Sequence, residues 1–302
     1  MKARLDIFSA NLLKTSLAFL LLLSLQTARS QSVPLPNAFA HNDYLHPHPL
    51  FDALANGYTN IEADIFLKGG RLVVAHIDPF FKKNHTLESL YLRPLAERIA
   101  ANNGQVYKGY NSPVILMIDV KSGANDTYKA LKVLLEKYRP MFSSYNHGKV
   151  MGGTITVVLS GHKPFDMIKR EDTRLAFIDE DLRKTSQDTT GAADVYKMAS
   201  CKYSKLLDWR GDGPMPTDQR QRLCSYVAEA HKYGEKVRLW ASPENDRVWT
   251  ELLKCGVDLI NTDKLSQLKM FLLAHRTIIN TNYTNKIVTN SPNKDELSVI
   301  TL

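Results

Sequence analysis

Cysteine is scarce in this sequence, and blocks of like charge are absent from it. The three cysteines, Cys201, Cys224 and Cys255, show no C-x-x-C spacing, which argues against a zinc site built from paired cysteines. Cys224 and Cys255 lie among apolar residues of predicted helices, so we expect buried thiols there rather than a disulfide framework. The formal net charge is +8, but no run of lysine or arginine indicates a nucleic-acid surface.

The first thirty residues have the three parts of an export signal. Basic residues at positions 2, 4 and 14 precede a short apolar core, Leu17–Leu25, and Ala28-Arg29-Ser30 supplies small residues where a signal peptidase cleaves. The apolar core is shorter than the roughly 20 residues that span a bilayer. We therefore predict that residues 1–30 form a signal peptide and that the protein is exported, with a retained membrane anchor as the alternative.

Short β-type runs alternate with amphipathic helical stretches over residues 31–276, and this order favours parallel strands joined by crossover helices. The predicted strands are 38–41, 60–67, 71–76, 113–121, 154–160, 175–178, 205–209, 236–241 and 257–262. The predicted helices include 50–55, 86–101, 128–138, 217–233, 246–254 and 264–275, and 185–197 is predicted to be a loop. This series is typical of one (β/α)₈ barrel, or TIM barrel, with a small hairpin-like insertion after the second strand. Residues 277–302 are polar and lack a period, so we expect a C-terminal tail.

Ionisable side chains recur where the predicted strands end, which is the face of such a barrel that carries the active site. Glu62 and Asp64 are two residues apart on one strand and therefore face the same side. Two neighbouring carboxylates raise each other's pKa unless a cation lies between them, and Asp119 could supply a third ligand. Oxygen ligands suit Mg²⁺ or Ca²⁺, so we predict one divalent cation, with solvated or salt-bridged acids as the alternative.

Two strand-end histidines, His41 and His76, are suited to act as a general acid and a general base. Cleavage of a phosphodiester needs one group to deprotonate the attacking oxygen and another to protonate the leaving oxygen, and histidine can do either near neutral pH. Zinc ligation by two histidines is the alternative, but no His-x-His pair lies on the first strand. His46 and His48 are interleaved with prolines, so we predict that they are loop residues.

The order of these motifs resembles the glycerophosphodiester phosphodiesterase and phosphatidylinositol-specific phospholipase C-like superfamily. The segments that carry the resemblance span nearly all of residues 38–265, and in chain order they read AHNDY, IEAD, GGRLVVAH, TLESL, MIDVK, RLWAS and VDLINTDK. The resemblance implies a barrel that holds one divalent cation. It also implies that the two strand-end histidines are the catalytic pair and that Glu62, Asp64 and Asp119 are the cation ligands.

Further roles follow from the same resemblance or from position alone. Lys121 would contact the phosphate of the substrate, and Trp240 resembles a late-barrel tryptophan that lines the pocket, with a place in the core as the alternative. Asn42 is expected at the substrate site, where it would orient His41 or bind the cation. Asp263 stands at a strand-to-helix junction, so we predict that it caps the last helix rather than taking part in catalysis.

The implied function is a metal-dependent phosphoric diester hydrolase that acts on a glycerophosphodiester or phospholipid-type substrate. The opening motif HND lacks the arginine of the His-Arg-Gly motif of glycerophosphodiester enzymes, and MIDVK is similar to the sphingomyelinase D-type lipases of the same superfamily. A non-catalytic barrel that binds a phospho-ligand and kept the cation site is the main alternative, and a barrel hydrolase of another bond is the second. We expect a monomer with no nucleic-acid partner. The aromatic and basic run 80–83 (FFKK) suggests transient contact with a membrane surface, with an ordinary loop as the alternative.

Overall fold

The computed structural model describes residues 32–78, 85–185, 187 and 192–275, and twelve strands and eight α-helices lie within these ranges. The strands are β1 (Leu35–Ala40), β2 (Tyr58–Lys68), β3 (Arg71–Val74), β4 (Val114–Val120), β5 (Ser144–Asn146), β6 (Lys149–Met151), β7 (Ile155–Gly161), β8 (Thr173–Arg174), β9 (Ala176–Asp181), β10 (Tyr196–Lys202), β11 (Lys236–Trp240) and β12 (Leu259–Thr262). The helices are α1 (Phe51–Ala55), α2 (Arg93–Ala101), α3 (Ala124–Lys137), α4 (Phe165–Lys169), α5 (Ala192–Val195), α6 (Thr217–Lys232), α7 (Asp246–Lys254) and α8 (Leu265–Ala274).

Eight of the strands pair side by side in parallel and close into a barrel. Their order is β1-β2-β4-β7-β9-β10-β11-β12, and β12 pairs back to β1. β3 pairs with β2 in antiparallel register across a turn in which Gly69 and Gly70 both have positive φ, a conformation that glycine adopts without steric cost. The prediction of a (β/α)₈ barrel with a hairpin-like insertion after the second strand is therefore confirmed. β5, β6 and β8 form a separate three-stranded sheet.

The barrel strands are buried on both faces, as parallel strands covered by helices must be. One face points into the barrel, where a small apolar cluster fills the interior. Its members are Phe39, Ile115, Met117, Val158, Met198 and Leu259. The other face packs against the helices as part of a much larger apolar cluster. Because side chains alternate along a strand, every second residue counted from the interior cluster also points inward.

One strand was predicted at the wrong place. The strand expected at 205–209 is in fact β10, Tyr196–Lys202, and it begins where a loop was predicted. Polar residues interrupt the apolar pattern of β10, so the sequence does not read as a buried strand. In the structure these residues have partners, because Lys197 lies over the ring of Phe177 and Ser200 donates a hydrogen bond to the buried Asp179. The apolar residues of 205–209 are buried in a connection that follows a 3₁₀ turn, rather than in a strand.

The prediction of buried thiols at Cys224 and Cys255 is wrong, because these two residues form a disulfide. The bond joins α6 to the residue that follows α7, at a sequence separation of 31 residues. Apolar neighbours indicate burial, but they do not show that two helices bring their sulfurs together. Cys201 is a buried free cysteine on β10.

Three sequence predictions concern segments outside the described residues: the signal peptide at 1–30, the tail at 277–302, and the aromatic and basic run 80–83. They stay predictions. Within the part of the chain that the structure describes, no helix combines the length and the apolar character needed to cross a membrane.

We expect loss of the Cys224–Cys255 disulfide to lower the free energy of unfolding by about 3–4 kcal/mol, because the bond restricts the unfolded chain across its 31-residue separation. Urea unfolding with and without a reductant measures the difference. The Cys201→Ala variant is the control, since it keeps the disulfide and should show the same difference between the two conditions. Identical unfolding midpoints with and without reductant would contradict the prediction.

Candidate active site

Three carboxylates point into the barrel, one near the carboxyl end of β4 and two on the part of β2 that pairs with it. On β2, Ile61, Ala63 and Ile65 pack against the helices, so Glu62 and Asp64 face the interior. Asp119 of β4 is paired in register with Asp64, which places their side chains next to each other. Each of the three acids offers an oxygen, and these oxygens all lie within 4.8 Å of one another. The structure thus brings together the three residues predicted as cation ligands.

The chemistry of this cluster fits a cation. Glu62 is only 3% exposed, and burial raises its pKa, against the opposing effect of Arg238 and His41. No described residue donates a hydrogen bond to Glu62 Oε2 or to Asp119 Oδ1, although both oxygens are buried. Buried carboxylate oxygens without a donor are costly unless a cation satisfies them. The cluster could therefore hold a metal ion.

Gly161 at the end of β7 lets Asp119 take its position. Its φ is +68°, and a Cβ atom there would lie 2.0 Å from Asp119 Oδ1 and 2.5 Å from the carbonyl oxygen of Val120. Any larger residue would therefore displace the carboxylate or the strand. This close approach is a local reason for glycine at the position.

Lys121 lies between two of the acids. Its Nζ is 2.8 Å from Asp119 Oδ2 and 3.1 Å from Asp64 Oδ2. Burial lowers the pKa of Lys121, but the hydrogen bonds and charges of the two carboxylates outweigh it, so the pKa is raised overall. The ammonium group therefore stays positive at the place where an anionic substrate group would approach.

His41 is held by a carboxylate that the sequence analysis assigned to another role. Its Nδ1 lies 2.8 Å from Asp263 Oδ1, and its Nε2 lies 3.7 Å from Glu62 Oε2. Burial lowers the pKa of His41, but the hydrogen bond to Asp263 and the nearby carboxylates raise it by more, so the net shift is upward. The prediction that Asp263 caps the last helix is wrong, because α8 begins at Leu265 without a side-chain cap.

The contact between His41 and Asp263 follows from the strand register. Ala40 of β1 pairs with Thr262 of β12, so the residues that follow them leave the barrel side by side. In the sequence, Asp263 comes directly after a strand. An acid at that position can either join the active site at the strand end or cap the next helix. The two roles are distinguished only by the closed barrel, in which the first and last strands are neighbours and Asp263 reaches His41.

His76 is held in a similar way by a second carboxylate. Its Nδ1 lies 2.9 Å from Asp64 Oδ2, and its side chain is 60% exposed. The hydroxyl of Tyr44 donates to the same Asp64 oxygen at 2.7 Å and lies 3.2 Å from His76 Nδ1. Each histidine therefore has a carboxylate on Nδ1, and Nε2 is the nitrogen left to contact a substrate.

The four residues of the HNDY motif have distinct structural roles around His41. Asn42 has a left-handed conformation, with φ of 48°, and turns the chain as it leaves β1. Its side-chain amide nitrogen donates to Asp263 Oδ1, the oxygen that also holds His41 Nδ1, at 3.4 Å, and its Oδ1 lies 2.9 Å from the hydroxyl oxygen of Tyr44. This placement suits the orienting role predicted for Asn42. Tyr44 was not among the predicted site residues, although it directly continues the motif.

Asp43 fixes the same loop through hydrogen bonds in the protein interior. Its side chain is fully buried, and Oδ2 accepts hydrogen bonds from the Leu50 amide at 2.5 Å and from the Tyr91 hydroxyl at 2.8 Å. Burial raises the pKa of Asp43 to about 6, although both hydrogen bonds oppose the shift. The loop that carries Asn42 and Tyr44 is thereby tied to the helical segment containing Tyr91.

The remaining predicted residues lie at the rim. Trp240 ends β11 and is 39% exposed, so its alternative place in the core is wrong, and Lys202 Nζ lies 5.7 Å from its ring centroid. Its predicted contact with substrate stays a prediction. His46 and His48 lie in the connection between β1 and α1, as predicted for loop residues. Neither belongs to the carboxylate cluster among the described residues.

The fold and the site together define a barrel domain of the phosphodiesterase type. The family model described as AIM6-like phosphodiesterase domain matches residues 27–179, about half of the chain. A second model, the glycerophosphoryl diester phosphodiesterase family, matches residues 236–266. The first match contains the three acids, both histidines and Lys121, and the second contains Trp240 and Asp263.

Curated relatives point the same way. Altered inheritance of mitochondria protein 6 of Eremothecium gossypii is 31% identical, and the alignment covers 80% of this chain and 71% of the relative. The protein of the same name from Lachancea thermotolerans is 27% identical, over 77% of this chain and 65% of the relative. A homologue from Arthroderma benhamiae is 25% identical, over 78% of this chain and 83% of the relative. The chain therefore belongs to the AIM6-like phosphodiesterase domain family, within the superfamily that its motifs resemble.

The raised pKa of Asp43 predicts a specific pH dependence of stability. A buried acid whose pKa moves from 3.8 to about 6 on folding favours the folded state when protonated, so stability falls as pH rises between these values. Relative to Asp43→Asn, the wild type should lose about 3 kcal/mol across this range and change no further above it. Urea unfolding of both proteins over the range measures the difference.

A second variant sharpens this test. Tyr91→Phe removes a hydroxyl that lowers the pKa of Asp43, so its stability should fall over a wider pH range, and by a larger total, than that of the wild type. Parallel stability curves for the wild type and Asp43→Asn would show that Asp43 does not titrate in this range.

Proposed function

We propose that the protein is a metal-dependent phosphoric diester hydrolase that uses His41 and His76 as its acid–base pair. The observation that carries the proposal is the arrangement of two histidines, each with a carboxylate on Nδ1, beside a cluster of three carboxylates. This arrangement lies at the carboxyl ends of the barrel strands, where enzymes of this fold have their active sites. Membership of a phosphodiesterase domain family supports the same reaction class.

Glu62, Asp64 and Asp119 would hold one divalent cation, Mg²⁺ or Ca²⁺, since all their donor atoms are oxygens. The bound cation would neutralise negative charge on the non-bridging oxygens of the phosphate. Lys121 adds a fixed positive charge beside the same cluster, and its ammonium group can pair with a phosphate oxygen.

The two histidines would move the protons of the reaction. One accepts a proton at Nε2 from the attacking oxygen, which belongs either to water or to an adjacent hydroxyl of the substrate. That oxygen forms a new bond to phosphorus while the bond to the leaving oxygen breaks, and the other histidine donates its proton to the leaving oxygen. Asp263 and Asp64 accept from Nδ1 and thereby orient each ring with Nε2 toward the substrate, and Asp263 also stabilises the protonated ring of His41.

The proposed substrate is a glycerophosphodiester or a phospholipid-type diester. Three apolar side chains at the rim support contact with a lipid surface: Leu45 is 65% exposed, Ile77 76% and Trp240 39%. Leu45 directly follows Tyr44, and Ile77 directly follows His76, so these exposed apolar residues are next to site residues in the chain. We therefore include transient contact with a membrane surface in the proposal.

Hydrolysis of a chromogenic phosphodiester tests the reaction. Turnover should stop when EDTA removes the cation and return when Mg²⁺ or Ca²⁺ is added. His41→Ala and His76→Ala should each lower kcat by about 100-fold or more, because general acid–base catalysis contributes at least that much. Asp263→Asn should lower kcat by less than either histidine variant, since His41 remains, and should leave KM nearly unchanged.

His147→Ala is the matched control, because His147 lies between β5 and β6 in the small separate sheet and should keep full activity. Near-wild-type turnover in either histidine variant would refute the assignment of the pair. Cation binding without turnover of chromogenic, glycerophosphodiester or phospholipid substrates would instead favour a phospho-ligand-binding barrel.

Contact with membranes has a separate test. The double variant Leu45→Ser with Ile77→Ser should bind vesicles of phosphatidylcholine and phosphatidylserine less tightly than the wild type, because it removes apolar surface at the rim. Its turnover of a soluble diester should be unchanged. Met270→Ser is the control, since Met270 is equally exposed but lies on α8. Equal vesicle binding by the wild type and the double variant would contradict the proposal.

A further inference from the structure

Arg238 is a buried charged residue in the interior of the barrel. It lies on β11, where Val237 and Leu239 pack against the helices, so the arginine points inward. Only 3% of it is exposed, and its guanidinium carbon lies 4.4 Å from the centroid of the Phe39 ring. A charge at such a place requires partners, because its burial costs several kcal/mol otherwise.

The partners of Arg238 lead directly to the carboxylate cluster. Its Nη1 donates to Asn261 Oδ1 at 3.1 Å and lies 3.5 Å from Glu62 Oε1. The other oxygen, Glu62 Oε2, lies 3.7 Å from His41 Nε2, and no described residue donates a hydrogen bond to it. The guanidinium therefore contacts Oε1 of Glu62, and Oε2 stays available to bind a cation.

The two basic residues of the cluster have separate partners. Lys121 contacts Asp64 and Asp119, whereas Arg238 contacts Glu62. Without Arg238, the described basic side chain within 4 Å of the buried Glu62 carboxylate would be the ring of His41, whose Nε2 lies 3.7 Å from Oε2. A turn of the carboxylate toward His41 would withdraw a ligand oxygen from the cation.

We propose that Arg238 is a positioning residue, which fixes the Glu62 carboxylate so that Oε2 is presented to the divalent cation. The proposal rests on the cation site of the proposed function and adds a residue that neither the motif resemblance nor the cluster itself supplies. Two effects of Arg238 on the cation oppose each other. Its positive charge repels the cation, while its contact with Glu62 orients a ligand. We infer that orientation prevails, because Glu62 is buried among few other donors.

Calorimetric titration with Mg²⁺ and with Ca²⁺ tests the proposal without relying on turnover. Arg238→Met keeps much of the side-chain volume but removes the charge and the donors. Its Kd for the cation should be about tenfold higher than that of the wild type or more, as is common when an outer partner of a metal ligand is lost. An unchanged or lower Kd in the folded variant would overturn the proposal, because repulsion or packing alone would then account for the arginine.

Arg174→Met is the matched control. Arg174 is also a buried arginine, 4% exposed and stacked on an aromatic ring, but it lies on β8, which precedes β9 at the amino end of that strand. Its replacement should lower the unfolding midpoint in urea and leave the cation Kd unchanged. An equal rise of the Kd in both variants would show a general effect of barrel destabilisation and would also overturn the proposal.

Arg238→Lys carries the test if the methionine variant fails to fold. A lysine keeps the charge, but its compact ammonium group cannot reproduce the planar fork that reaches Glu62 and Asn261 and stacks on Phe39. Its Kd should rise severalfold, and an unchanged Kd would overturn the proposal. A wild-type protein that binds neither cation would instead refute the cation site of the proposed function, so the two failures are distinguishable.

Discussion

The enclosure of two buried carboxylates and a third, half-buried one inside the barrel is the constraint on which the rest of the site depends. Glu62 and Asp64 are nearly inaccessible, and an ion buried without compensation costs several kcal/mol. The surrounding structure supplies that compensation from different strands, through Lys121 on one side and Arg238 on the other. Because parallel strands alternate between an inward and an outward face, the interior apolar cluster and these charged groups belong to the same set of positions.

The loop after β1 connects the carboxylates to the two histidines and helps to fix the positions of both rings. Asp43 is fixed by the amide of Leu50 and the hydroxyl of Tyr91, and this anchor holds the left-handed turn at Asn42. Tyr44 then bridges Asn42 to Asp64, so the loop that supports His41 also contacts the carboxylate that holds His76. The motif HNDY is therefore one structural unit, in which each residue contributes to the position of the proposed acid–base pair.

Sequence periodicity predicted the barrel and the three acids because both depend on local alternation along a strand. It could not predict contacts that barrel closure creates, such as that between His41 and Asp263, which are 222 residues apart. The same limit explains the missed disulfide. In β10 the failure has a different cause, since polar residues such as Ser200 find partners inside the barrel and remove the apolar pattern.

The charges of the proposed site suit a cation and an anionic substrate. Four acids meet there, Glu62, Asp64, Asp119 and the buried Asp179, whereas Lys121 and Arg238 are the bases that contact the first three. A divalent cation would offset this excess of acids, which is costly in a site of low dielectric. The cation and Lys121 would then lie together beside the place of a phosphate, so the groups that compensate the acids are also the groups that would receive an anion.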